Sequence, residues 1–490
     1  MSDTASQKVI KGVSSQTIVT IVLGVVEIVS FSLMSRLLSQ KDFGYYAAIV
    51  AVATVFQSLT ETGIGSAIVQ KKELDKLYIN NAFSLSLIFG IGIAGLLCLL
   101  SGMIAKFVAD ESMTVPLRLF SITLICHCLS SVNISLMQRK LQFFRIGIIN
   151  LTSLVLTTTI AVVLALKGFG YYAILAKAVL QSILVLVISY FAANVSYSLS
   201  FDKKTYKKIF GFGGWLMFSA VFRNLAHQVD RLLMTSLFSI ETLGFYTRPK
   251  EFISTISGKC NGIFDSVLFP ILSTFQDEKE KMQKSFLTAV YFLNMLGMAV
   301  ALLFFFNSEL LIRIFFSEEW LNVNALFMVL SIYPVFLING RLGDIFLRSL
   351  ALTKQQFLFR IGQFVFAVVF IIIGYKFGII AVAISVMLSY LTITVIKICY
   401  LIKRIELPKR IVLTTVLKSF QFALFVLPVY LFCNIILPHT WTGNIIQAIV
   451  FLLTFALLFL AIPKLVGKQY EQEAYSKVTS ALKSKILKRK

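Results

Sequence analysis

Residues 82–104 read AFSLSLIFGIGIAGLLCLLSGMI, without one charged side chain. At about 1.5 Å per residue, a helix of this length covers the ~30 Å hydrocarbon layer of a bilayer. Scanning outward for similar stretches finds fourteen. They are Val13–Leu38, Phe43–Val69, Ala82–Ile104, Val115–Met137, Ile146–Leu166, Tyr171–Ala193, Phe210–Phe238, Phe245–Leu272, Phe286–Phe306, Leu321–Leu347, Phe357–Ile373, Ile379–Leu401, Ile411–Leu437 and Trp441–Ile462. The first is too long for a secretory signal and lacks a small-residue cleavage site, so it is read as retained. Loops stay under about 20 residues, which leaves no room for a soluble domain between spans. The fold expectation is an all-α polytopic membrane protein.

Composition agrees. Of 490 residues 58% are hydrophobic and 14% charged, with mean hydropathy +0.85. A soluble domain keeps about 25% charged residues to wet its surface. Yet 46 Lys+Arg oppose 23 Asp+Glu, a net charge of +23. This balance excludes an acidic disordered chain, a disulfide scaffold and an ordinary soluble enzyme, and leaves a membrane protein or a nucleic-acid binder. The position of the charges separates the two. Alternate loops hold Lys71-Lys72-Lys76, Arg139-Lys140-Arg145, Lys203-Lys204-Lys207-Lys208, Lys279-Lys281-Lys284 and Lys403-Arg404-Lys409-Arg410, whereas the intervening loops hold few. Roughly 32 of the 46 basic residues fall on the first side, which the positive-inside rule makes cytoplasmic. Both termini then lie in the cytoplasm, and no nucleic acid is needed to explain the charge. The Lys-rich tail 464–490 suits anionic lipid at the cytoplasmic face, or plain solvation. The six cysteines lie in or at the ends of spans, and Cys126-His127-Cys128 reads as helix packing, so no metal and no cofactor are expected.

Short segments recur in order. Leu243-Gly244-Phe245-Tyr246 repeats Phe43-Gly44-Tyr45-Tyr46; Phe359-Arg360-Ile361-Gly362 repeats Phe144-Arg145-Ile146-Gly147; Phe377-Gly378 echoes Phe169-Gly170. A repeat of six spans keeps both copies in one orientation, related by an axis along the membrane normal. The expected organisation is an N-lobe over 1–195, a C-lobe over 209–402, two appended spans over 403–463 and the tail 464–490. A central cleft would lie between the two six-helix lobes.

Ionisable groups inside spans cost at least about 2.5–3.5 kcal/mol each and mark cavities or partners. In the seventh span Arg223, His227 and Asp230 recur at i, i+4, i+7, beside a stripe of Asn224, Gln228 and Arg231. Two readings stand: an internally neutralised Arg–Asp knot, or a water-filled, cation-lined cleft. The first span adds Glu27, placed by the repeat opposite His227, and the second adds Glu61. Arg341, Asp344 and Arg348 form a stripe in the tenth, with Arg348 snorkelling to the edge. Arg36, Arg248 and Lys250 fall near the outer edge, as substrate contacts or interfacial anchors. Guanidinium groups match phosphate oxygens bidentately, so Arg223, Arg231 and Arg341, with Asn224 and Gln228, are the candidates for an anionic, phosphorylated substrate. Glu27, Asp230, His227, Glu61 and Asp344 are then charge balance or H⁺/Na⁺ coupling sites. The sequence has no G-x-x-x-x-G-K-[ST] loop, H-E-x-x-H or G-x-S-x-G, so the expectation is secondary transport rather than catalysis.

Arg36-Leu37-Leu38-Ser39 with Asp42-Phe43-Gly44-Tyr45-Tyr46, residues 62–72, residues 136–143, Asp230-Arg231-Leu232-Leu233 and Val267-Leu268-Phe269-Pro270 through Gln276-Asp277 together resemble one family. It is the polysaccharide-transporter branch (lipopolysaccharide, O-antigen and colanic-acid exporters) of the multidrug/oligosaccharidyl-lipid/polysaccharide exporter superfamily. The resemblance implies a flippase for undecaprenyl-pyrophosphate-linked oligosaccharide, two lobes rocking about a cleft, and neighbouring polysaccharide polymerase and export machinery. Two departures stand out: Glu61 replaces the branch's usual Asp, and Pro249 falls in the first turn of the eighth span rather than in its middle. The rival reading is a drug/cation antiporter of the same superfamily, which would want an acidic cleft.

Overall fold

The computed structural model describes residues 2–60, 64–71, 73–107, 110–275, 278–436 and 441–465. Among these are seventeen α-helices and no strand. They are α1 (Ser2–Leu37), α2 (Gln40–Thr60), α3 (Ile64–Gln70), α4 (Lys76–Phe107), α5 (Thr114–Arg139), α6 (Phe143–Leu166), α7 (Tyr171–Ala193), α8 (Lys203–Leu237), α9 (Ile240–Thr274), α10 (Lys279–Phe306), α11 (Ser308–Phe315), α12 (Asn324–Leu330), α13 (Tyr333–Ser349), α14 (Thr353–Gly374), α15 (Ile379–Arg404), α16 (Lys409–Ile436) and α17 (Trp441–Leu465). Within the described residues, each of the fourteen sequence spans falls mainly on helix. Among the described residues, eight helices are long and apolar enough to cross a membrane by length and composition, or nine if a bent pair counts as one span. That pair is the tenth span, bent by 42° between residues 330 and 333. Pro334 stands in the first turn of α13, where its missing N–H ends the preceding helix. Leu99, Phe191 and Ile435 are 83%, 74% and 83% exposed. Water would penalise that surface, whereas lipid accepts it.

Two compact units divide the chain: residues 1–248 with 315–317, and residues 249–314 with 318–490. In the first, a small core of Ile64, Ile68, Tyr78, Leu85, Val132 and Leu136 joins α3, α4 and α5. The extended segment after α7 is zipped to α4 by side chains. Asn80 Oδ1 accepts from Ser198 N at 3.2 Å, Ser84 Oγ from Ser200 N at 2.9 Å, and Asn81 Oδ1 from Asp202 N at 2.8 Å. These two asparagines and the serine satisfy backbone donors that no ladder reaches. The link leading into α8 is therefore fastened to the first unit. In the second unit Phe286, Val290, Ile345, Phe346 and Leu401 pack α10, α13 and α15 together. Tyr430 of α16 stacks on Phe306 at 4.0 Å, docking the appended helices on α10.

Backbone exceptions trace the repeat. Every non-glycine residue with positive φ among those described has a counterpart in the other half: Leu141 with Ala351, and Asn194 with Glu406. After α5, Leu141 N donates to Gln138 O and Gln142 N to Met137 O; after α13, Ala351 N donates to Arg348 O and Leu352 N to Leu347 O. Both are Schellman turns with a side chain where glycine is usual. Gly170 and Gly378, at +53° and +92°, open α7 and α15 alike. These turns put α14 at an offset of 210 residues from α6, so the Arg145/Arg360 match, at 215, is out of register.

Because α9 begins at Ile240, Pro249 is its tenth residue and sits inside the helix, not in its first turn. There it removes an i→i−4 hydrogen bond, and it is also the residue at which the second unit begins.

Candidate functional site

Polar residues of α8 straddle an environmental boundary. Arg223, Asn224, Gln228 and Arg231 are half-buried, His227 is exposed, and Asp230 is buried. Three residues turn a helix by about 300°, so His227 and Asp230 are surface neighbours with unlike surroundings. Asp230 Oδ2 accepts from Tyr246 Oη at 2.6 Å, which ties α8 to the start of α9. The carboxylate is thus a bonded buried group, while His227, one turn before it, is exposed. Gln228 Oε1 is buried and has no hydrogen-bond partner among the described residues. Such an orphan acceptor costs about 1–3 kcal/mol, which a hydrogen-bond donor brought against it would recover.

On α1, Glu27 is half-buried and Arg36 is exposed in the last turn. Arg248 is not at an exposed edge. Its Nε donates to Ser35 Oγ at 3.0 Å and its Nη2 to Phe31 O at 2.8 Å, while the guanidinium lies 3.4 Å from the Phe31 ring centre and 4.1 Å from that of Phe43. Cation–π contacts of this desolvated kind contribute about 2 kcal/mol, so Arg248 fastens α9 to α1 and α2. Lys250, also buried, lies in the second unit with its Nζ 5.5 Å from the Tyr333 ring centre. Glu61 lies outside the described residues, as does the tail from residue 466 onward.

The same unit holds Arg341, half-buried, and Asp344, buried. Asp344 Oδ2 is 3.0 Å from Arg360 Nη2 and its Oδ1 is 2.9 Å from Lys397 Nζ. Neither cation was among the sequence candidates, nor was Lys177, half-buried on α7 with its Nζ 2.5 Å from Ser30 Oγ. The cost rule for ionisable groups inside spans would have found all three, since each lies within an apolar span.

At the other end of α2, Asp42 serves two helices. Its Oδ2 accepts from Ser39 N and Oγ at 3.0 and 2.6 Å, and its Oδ1 accepts from Tyr171 N at 2.8 Å, the first residue of α7. Nearby, Asp110 accepts from Ser112 N at 2.9 Å and from Tyr45 Oη at 2.7 Å. Hydrogen bonds from Ser112 and then Tyr45 hold its carboxyl below the usual range.

The chain is 22% identical over 393 residues to the lipopolysaccharide biosynthesis protein WzxC of Escherichia coli (strain K12), covering 80% of this chain and 79% of the relative. It is 20% identical over 292 residues to the succinoglycan biosynthesis transport protein ExoT of Rhizobium meliloti (strain 1021), covering 60% and 59%. The fold is that of the lipid II flippase MurJ in its inward closed conformation, with TM-score 0.69 at 17% identity over 91% of this chain and 98% of the other. The sequence profile described as "Polysaccharide biosynthesis protein" matches residues 33–325. That is more than half of the chain, which therefore belongs to the polysaccharide biosynthesis protein family.

Proposed function

We propose that this protein is a flippase carrying lipid-linked oligosaccharide across the bacterial inner membrane for a cell-surface polysaccharide. The observation that carries the reading is the family match over residues 33–325, together with relatives named for lipopolysaccharide biosynthesis and succinoglycan transport. A fold shared with a lipid II flippase supports the same class of cargo. In this reading Arg223 contacts the pyrophosphate, with Arg231 and Arg341 as further cationic contacts, because guanidinium stays charged and pairs phosphate in a fork. Asn224 and Gln228 face glycan hydroxyls, and the orphan Gln228 Oε1 supports an acceptor role. Asp230 keeps the arginines compatible with an empty membrane interior; its bond to Tyr246 supports charge balance rather than direct contact. Glu27 and His227 are the candidate sites for H⁺ or Na⁺ coupling, and the lobes alternate access without a nucleotide.

The test is removal of the protein followed by extraction of lipid-linked glycan. Accumulation on the cytoplasmic leaflet is the expected result. Altered drug susceptibility with normal surface glycan would replace this reading with a drug antiporter. At equal protein level, Arg223→Ala should cut export about tenfold or more, the loss expected for one charged hydrogen-bond pair, and Arg223→Lys should recover part of it. Normal export in Arg223→Ala sinks the assignment of that residue.

A further inference from the structure

We propose that the cluster of Asp344, Arg360 and Lys397 in the second unit binds a small inorganic anion, chloride being the common example, as a second counter-ion. Asp344 is the sole acidic residue between positions 333 and 404, and it serves two cations at once. The side chains of Arg360, Lys397 and Asp344 are 9%, 3% and 8% exposed. One carboxylate against two cations leaves a net charge of +1. Counting along the helices, the three groups lie about 8–11 Å from the ends of α13, α14 and α15 on the Lys-rich side. An uncompensated buried ion costs several kcal/mol.

Hydrogen bonding points the same way. Among the described residues, Asp344 is the hydrogen-bond partner of both cations and neither has another. A guanidinium has five N–H donors and an ammonium three, so most are left over. One turn beyond Arg360 on α14, Gln363 is 3% exposed, and its Nε2 has no partner among the described residues; one turn before Lys397 on α15, Thr394 is 5% exposed with Oγ1 equally unmatched. Against them α13 presents Gly340 and Gly343. A Cβ at Gly340 would lie 3.4 Å from Thr394 Oγ1, and one at Gly343 would lie 3.3 Å from Lys397 Cδ. The two glycines thus let α13 close on α15 beside Lys397 and Thr394, and the site has surplus donors and surplus positive charge. A compact acceptor with one negative charge answers both and suits so tight a site, and the burial of every charged group excludes a lipid headgroup. The other half of the repeat is neutral here. Ser189 corresponds to Lys397 in the Gly170/Gly378 register, and it accepts from Asn133 Nδ2 at 3.2 Å.

The full chain, purified in detergent, is melted at fixed pH and ionic strength while chloride replaces gluconate. Between 1 and 150 mM chloride the melting temperature should rise by about 2 °C or more, as mass-action binding to the folded state requires. Lys397→Met leaves a neutral Arg360–Asp344 pair and should melt independently of chloride. If that variant does not fold, equilibrium binding of radioactive chloride to the unaltered protein decides: one bromide-displaceable ion per chain is expected, and none overturns the proposal. A wild-type melting temperature indifferent to chloride overturns it, whether or not it moves with pH. So does a chloride shift of equal size in Lys397→Met, which would place the effect elsewhere.

Discussion

Asp110 shows how single side chains outside the membrane set the limits of stability. Ser112 N and Tyr45 Oη both donate to its carboxylate, and they depress its proton affinity. A depressed folded value means that the stabilisation is present above the ordinary Asp range, about 3.9, and is lost as pH falls through the folded value. The melting temperature of the purified protein should therefore drop on acidification below about pH 4, and Asp110→Asn should flatten that limb. An unchanged acid limb in Asp110→Asn would remove the effect from this residue. The site residues themselves were unevenly legible. Arg223, Asp230 and Asp344 announce themselves as charges inside apolar runs. Lys177, Arg360 and Lys397 carry the same signal but lie close to span ends, where a lysine or arginine is easily read as snorkelling. That Arg248 is enclosed by Phe31 and Phe43 depends on α1, α2 and α9 meeting, which no spacing along the chain encodes.

At the scale of elements, two helix starts cross at a pair of glycines. A Cβ added to Gly44 would lie 1.8 Å from Ile240 O, and one added to Gly244 would lie 1.9 Å from Gln40 O. The contact is reciprocal at an offset of 200 residues, the pattern of an isologous two-fold contact. Ser39 and Ser239 cap the two starts, Ser39 Oγ accepting from Asp42 N and Ser239 Oγ from Thr242 N, each at 3.2 Å. Backbone cannot yield as a flexible side chain can. Gly44→Ala and Gly244→Ala should each cost about 1–3 kcal/mol, by overpacking, whereas Gly95→Ala, with nothing within 4 Å, should be neutral or stabilise by up to about 1 kcal/mol. Denaturant titration in mixed micelles compares the three; equal effects would mean that the crossing is not a close contact. The recurring Gly-aromatic motif was legible in the sequence, but the fact that its two copies touch was not. Helix existence was read from apolar length alone. The interior position of Pro249 was missed because Glu241 and Thr242 made the first turn of α9 look like loop.

For the molecule as a whole, orientation is the property that most of the net charge encodes. The Lys-rich loops alternate with Lys-poor ones along the spans, and the Schellman turns at Leu141 and Ala351 both fall on the Lys-rich side of that alternation. The positive-inside rule predicts that this side is cytoplasmic. In a cysteine-free background, single cysteines at exposed Lys41, Glu111 and Glu318 should react with a membrane-impermeant maleimide added to intact cells; those at Glu73, Glu278 and Lys403 should react only after the membrane is opened. The first two outer positions lie in the first half of the repeat and Glu318 lies in the second. A six-span repeat is even, so positions 41 and 318 must label from the same side. Labelling from opposite sides would require an odd number of crossings between them and an inverted repeat, and the two-fold relation along the membrane normal would fall with it.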